Sequence, residues 1–127
     1  MIRTLSLAAS ALLGATAVIA DEAAEAYVEE ALPYAYHTCE SVVAEADGDD
    51  AYIDRVIRAH VAMSLYNREI DVTAVEMTDA RKDEVHGRFV AALRKGCERD
   101  ASALLAGVVD RAVAHALSTE PDEAYVP

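Results

Sequence analysis

Two cysteines, Cys39 and Cys97, constrain this chain more than any other feature. Cys39 shares a helical stripe with Val42, Val43 and Ala46, at i, i+3, i+4 and i+7. Cys97 ends the series Val85, Phe89, Leu93, Cys97, which recurs at steps of four between Arg, Lys and Glu residues. Such spacing places each cysteine on the core-facing side of its own helix. A bond between them would tie two helices together across a loop of 59 residues. Closing a loop of that size removes freedom from the unfolded chain worth about 4 kcal/mol. That is a large share of a small domain's net stability. Two buried free thiols are the alternative, and the compartment decides between them, because disulfides persist where thiols oxidise.

The first twenty residues speak to the compartment. Arg3 supplies a positive start, and Leu5–Ala20 is uncharged and mostly apolar. The run closes on Val18-Ile19-Ala20, with small residues of the kind a signal peptidase reads, and Asp21-Glu22 come immediately after. This is the order of an export signal. The stretch is short and rich in Ala, Ser, Thr and Gly for a bilayer span, which needs about 20 strongly apolar residues. A retained anchor is the alternative. The expected organisation is therefore a cleaved signal peptide at 1–20, a helical extension at 21–35, a helical domain at 36–118 and a flexible tail at 119–127.

The charge balance depends on that reading. Of 11 Lys+Arg, the signal removes only Arg3; the 10 that remain face 23 Asp+Glu, a net of −13. A surface of that sign repels nucleic acid and anionic lipid. With every carboxylate protonated and the four histidines charged, the same surface carries +14. Repulsion then works against compactness and against any dimer.

Helical periodicity dominates the chain beyond residue 20. A short first helix carries Ala24, Tyr27, Val28 and Ala31 on one face and is stopped by Pro33. A second is expected to start near Tyr36. Asp47-Gly48-Asp49-Asp50 reads as a turn with helix-start chemistry. A third helix spans about Ala51 to Arg68, with Tyr52, Ile53, Val56, Ile57, Val61, Met63, Leu65 and Tyr66 on more than one stripe. It is the expected central helix. Ile70 to Met77 is read as an extended, packed connection. Thr78 or Asp79 caps a fourth helix, and Asp100 a fifth, with Leu104, Leu105, Val108, Ala112, Val113 and Ala116 inward. Gly107 costs up to about 1 kcal/mol within that helix and is expected to allow a close helix contact. The segment from Ser118 is expected to fray. The fold class is all-α, a small four- to five-helix orthogonal bundle.

Residues with catalytic or metal-binding potential do not assemble into a motif. His37 and Cys39 lack a CxxC, HxxxH or HExxH partner, and His60, His86 and His115 are scattered over three helices. The acidic turn at Asp47, Asp49 and Asp50 resembles a calcium loop, but the twelfth position, where an EF-hand needs glutamate, is Arg58. There is no GxSxG, SxxK or glycine-rich phosphate loop. No catalytic residue, metal or cofactor is expected.

Three stretches carry a family resemblance. Thr38-Cys39-Glu40 opens a helix shortly after the signal, Asp71-Val72-Thr73 precedes the fourth helix, and Lys95-Gly96-Cys97-Glu98-Arg99-Asp100-Ala101-Ser102 leads into the last. Over roughly Tyr36 to Leu117 the chain resembles the periplasmic acid-stress chaperones HdeA and HdeB and their small helical relatives. The resemblance implies an HdeA-like bundle with Cys39 bonded to Cys97 and a homodimer at neutral pH. It further implies that acid releases partly unfolded monomers, which hold unfolded periplasmic proteins. The apolar positions such a release would expose are Ile53, Val56, Ile57, Val61, Leu65 and Phe89, the candidate client or dimer surface. The chain departs from the pattern in the segment 21–35, in a longer stretch between the cysteines, and in His37 where an aromatic residue often precedes Thr-Cys. The alternative is a periplasmic inhibitor or immunity protein that meets one specific partner at neutral pH through its acidic face.

Overall fold

A computed structural model describes residues 14–71 and 74–127. Most of the expected signal peptide, and Val72 and Thr73 of the connection before the fourth helix, therefore lie outside the described residues. Five α-helices succeed one another: α1 (Gly14–Ala31), α2 (Cys39–Ala46), α3 (Asp50–Asn67), α4 (Asp79–Arg99) and α5 (Leu105–Leu117). Short 3-10 turns stand at Leu32–Tyr34 and Asp122–Ala124. Among the described residues the chain is all-helical, with no strand, and one disulfide joins Cys39 to Cys97 with their Cα atoms 5.5 Å apart. No helix of the described residues is long and apolar enough to cross a membrane.

The helix boundaries have local causes. α1 stops where Pro33 enters the next turn. α2 starts at Cys39 rather than near Tyr36, because Thr38 is its cap: the Thr38 hydroxyl accepts from Ser41 N, and the Ser41 hydroxyl accepts from Thr38 N. The acidic turn behaves as expected. Asp47 and Gly48 take positive φ, and Asp49 caps α3 by accepting from Ala51 N and Tyr52 N. Thr78 caps α4. Asp100 does not cap the fifth helix; it ends α4 and accepts from Ser102 N and Oγ, so α5 begins only at Leu105 and Leu104 stays exposed. The described part of the connection after α3 is non-helical as expected, but Val75 is exposed rather than packed.

The core sits elsewhere than expected. α5, not α3, is the central helix: Leu105, Val108, Val109, Ala112, Val113, His115 and Ala116 are all buried. α3 buries one stripe of Val56, Ala59, His60 and Ser64. Its other apolar positions are half-buried because α1, α2 and α5 each take one of its faces. The physical reason is side-chain size. α5 carries small residues on several faces, so its neighbours approach closely, and α4 against α5 is the most extensive pairing in the fold. The close approach uses Gly96 of α4, where an added Cβ would lie 2.6 Å from Val108 Cγ1. At Gly107 the nearest atom is the end of the Arg111 side chain, so that glycine is not the one the packing requires.

Candidate functional site

The segment that leads into α2 is pinned to the segment that leads into α5. Cys39 N donates to Ala103 O, Glu40 N to Ala101 O and Leu105 N to His37 O. With the disulfide beside them, these bonds fix His37 under the bundle. Its ring has no exposed surface.

Both ring nitrogens of His37 meet hydroxyls: Nδ1 lies 3.0 Å from Ser41 Oγ and Nε2 lies 2.9 Å from Tyr52 OH. The bond directions are set by Glu45, whose carboxylate accepts from Tyr36 OH at 2.6 Å and from Tyr52 OH at 3.2 Å. Since Tyr52 donates to Glu45, its oxygen accepts from His37 Nε2–H, which leaves Nδ1 an acceptor; the single Ser41 hydroxyl proton is shared between that nitrogen and Thr38 O, 3.3 Å away. The Tyr36 hydroxyl raises its own pKa by donating to Glu45, and the same bond is the main cause holding the Glu45 carboxyl below its ordinary range.

His60, on the buried stripe of α3, faces the same region. Its ring hydrogen-bonds the Tyr34 backbone, and the His37 imidazole is close enough to interact with it electrostatically. Burial pushes its pKa below the ordinary 6.5; the Tyr34 hydrogen bond works the other way, and His37 adds to the lowering. Its Nε2 is buried and meets no partner among the described residues. A proton taken up there becomes a buried donor with no acceptor.

Two further polar clusters tie helices together. Asp110 of α5 accepts from Ser64 Oγ at 2.6 Å and from Arg68 Nη2 at 2.8 Å, which holds its carboxyl below the usual range, the arginine bonds being the larger cause. Asp122 accepts from Arg88 Nε and from His115 Nε2, each at 2.9 Å, and is lowered chiefly by the arginine.

The structure places each position read from the sequence. Cys39 and Cys97 are bonded. Val56 is fully buried, and Ile53, Val61, Leu65 and Phe89 are half-buried and pack against the same core cluster. Ile57 is half-buried too. These six side chains therefore contribute to the bundle's interior and partly covered faces, with no open apolar surface among them. Sequence reasoning misses the Tyr36–His37–Ser41–Glu45–Tyr52 cluster, although His37, Ser41 and Glu45 recur at steps of four. Among the described residues no group of three or more His, Cys, Asp or Glu could hold a metal ion. Comparison with protein families, with curated proteins and with solved structures finds no match to this chain.

Proposed function

We propose that this chain is an exported, acid-responsive chaperone of the periplasm, which masks its apolar helices at neutral pH and offers them to unfolded proteins in acid. The observation that carries the reading is His60: a buried imidazole beside a second buried imidazole, with no acceptor for the proton that acid adds.

The sign of the effect is definite. His60 has a folded-state pKa below its unfolded value, so the unfolded chain binds more protons below 6.5. Its contribution to stability is complete above that pH and is lost as pH falls toward the lowered folded value. Glu45, Asp110 and Asp122 act in a lower window. Their pKa values are held down by hydrogen bonds, so they stabilise the fold above ordinary carboxylate values and cease to do so as pH falls through the folded ones. Net charge reverses over the same range. The interior and half-buried faces of α3 and α4, including Ile53, Val56, Ile57, Val61, Leu65 and Phe89, are what opening would release. The disulfide keeps α2 and α4 joined while this happens, so the opened chain returns to one topology. A homodimer at neutral pH, dispersed by charge repulsion in acid, belongs to the same proposal.

Light scattering of an aggregating client at about pH 2–3 tests it. The expected result is suppression at near-stoichiometric chain, absent at pH 7. No suppression at the acid pH contradicts the proposal. Capture of one stoichiometric partner at neutral pH by a chain that stays compact in acid would favour the inhibitor reading instead.

A further inference from the structure

The segment Ser118–Pro127, expected as a frayed and flexible tail, is folded back along one face of α4. The residues that hold it are Arg88, Ala92, Lys95 and Arg99, spaced so that they share one side of the helix. Arg88 donates to the main-chain oxygens of Ser118, at 2.7 Å, and of Glu120. Lys95 Nζ donates to Tyr125 O and Arg99 Nη1 to Pro127 O, both at 2.7 Å. Two of the segment's side chains are also bonded to the bundle: Asp122 accepts from Arg88 and His115, and Ser118 Oγ donates to His115 O at 2.7 Å. Tyr125 is the one buried residue of the segment, packed on Ala92 and Ala112 with Phe89 and Leu93 beside it. Its ring also lies 4.4 Å from that of His115.

Three cations on α4 thus hold a segment that contains one 3-10 turn, mainly by its main-chain oxygens, which every polypeptide has. A single apolar pocket takes one ring. Main-chain hydrogen bonds supply affinity in such an arrangement, and the pocket supplies the little selectivity there is. The Tyr125 hydroxyl is buried without a partner among the described residues, so the pocket asks for an apolar ring and does not read the hydroxyl.

We propose that the α4–α5 groove is a binding site for unfolded polypeptide carrying an apolar or aromatic anchor, and that residues 118–127 are its built-in occupant. The proposal rests on the client-binding reading above and names the surface that first receives a client.

The test uses the full chain and a fluorescein-labelled peptide of the sequence Ser118–Pro127, monitored by anisotropy at pH 7. Tyr125→Ala removes the internal anchor, and Asp122→Ala releases the segment while leaving the groove lining intact. Both variants should bind the peptide at least about tenfold more tightly than the parent, because a tethered occupant competes at millimolar effective concentration. A probe with Phe at the anchor should bind at least as well, one with Ala there at least about tenfold more weakly, and one with its other residues reordered within about threefold. Equal, weak binding by the parent and both folded variants makes the segment a structural strap and overturns the proposal. Should neither variant fold, hydrogen exchange on the parent decides. Excess peptide should speed exchange of the Ala124 and Tyr125 amides, and no change overturns the proposal. The chaperone reading fails separately: peptide binding without client protection at about pH 2–3 sinks that reading and leaves the groove. Protection in acid with no peptide binding sinks the groove alone.

Discussion

Replacing Gly96 by Ala sets two effects against each other at one position. Ala favours a helix interior over Gly by up to about 1 kcal/mol. The new Cβ, however, would lie 2.6 Å from Val108 Cγ1, closer than such atoms approach in real structures. Val108 is buried, and a β-branched side chain in a helix has one strongly preferred rotamer, so it cannot swing aside cheaply. Overpacking of this kind costs about 1–3 kcal/mol. With the helix gain taken in full, the net expectation is destabilisation by about 0–2 kcal/mol, or a fall in Tm of up to roughly 10 °C for a domain of this size. Gly87, on the same helix with open space around its Cβ position, is the control. Gly87→Ala should be neutral or should stabilise by up to about 1 kcal/mol. Urea and thermal melts monitored by circular dichroism measure both. The double variant Gly96→Ala, Val108→Ala should be less destabilised than the sum of its singles, since trimming Val108 removes the clash. If Gly96→Ala proves as stable as Gly87→Ala, α4 and α5 do not meet as described and the reasoning fails.

Two further outcomes concern the staple and a cap. Replacing both cysteines by Ser should lower the unfolding free energy by about 4 kcal/mol, the loop-closure value, and denaturant melts of the two chains compare it directly. Thr38→Ala removes half of the reciprocal cap on α2 and should cost about 0.5–2 kcal/mol in the same melts, while Thr38→Asn restores most of the loss.

Much of the fold is legible in the sequence because it rests on local chemistry. The caps at Asp49 and Thr78, the stop at Pro33 and the inward stripes bearing Cys39 and Cys97 are each set by a few neighbouring residues. What stays hidden depends on partners distant along the chain. Val43 lies on the Cys39 stripe yet is 59 % exposed, because no helix among the described residues covers that edge of α2. α3 looks most central because it is apolar on several sides, yet the centre falls to α5, whose small side chains let α4 approach at Gly96. Asp100 has cap chemistry, but its carboxylate serves the turn before α5. The 118–127 segment looks like a solvated acidic end, and its order comes from α4 cations and the pocket for Tyr125, which no local pattern announces. In the sequence the histidines are only scattered residues; that His37, His60 and His115 are buried depends on packing between elements distant along the chain.

The central claim is that acid opens the bundle by loading protons onto groups the fold cannot accommodate. Near-ultraviolet circular dichroism with size-exclusion chromatography, taken from pH 7 to pH 2 on the disulfide-intact chain, tests it most directly. The tyrosine signal should begin to fall below about pH 6.5, the ordinary histidine value, and collapse as the carboxylates protonate, with an expanded species that binds an apolar dye. His60→Leu should move the first phase to lower pH and leave the second in place. A chain that keeps its tyrosine signal and its compact size at pH 2 contradicts the account.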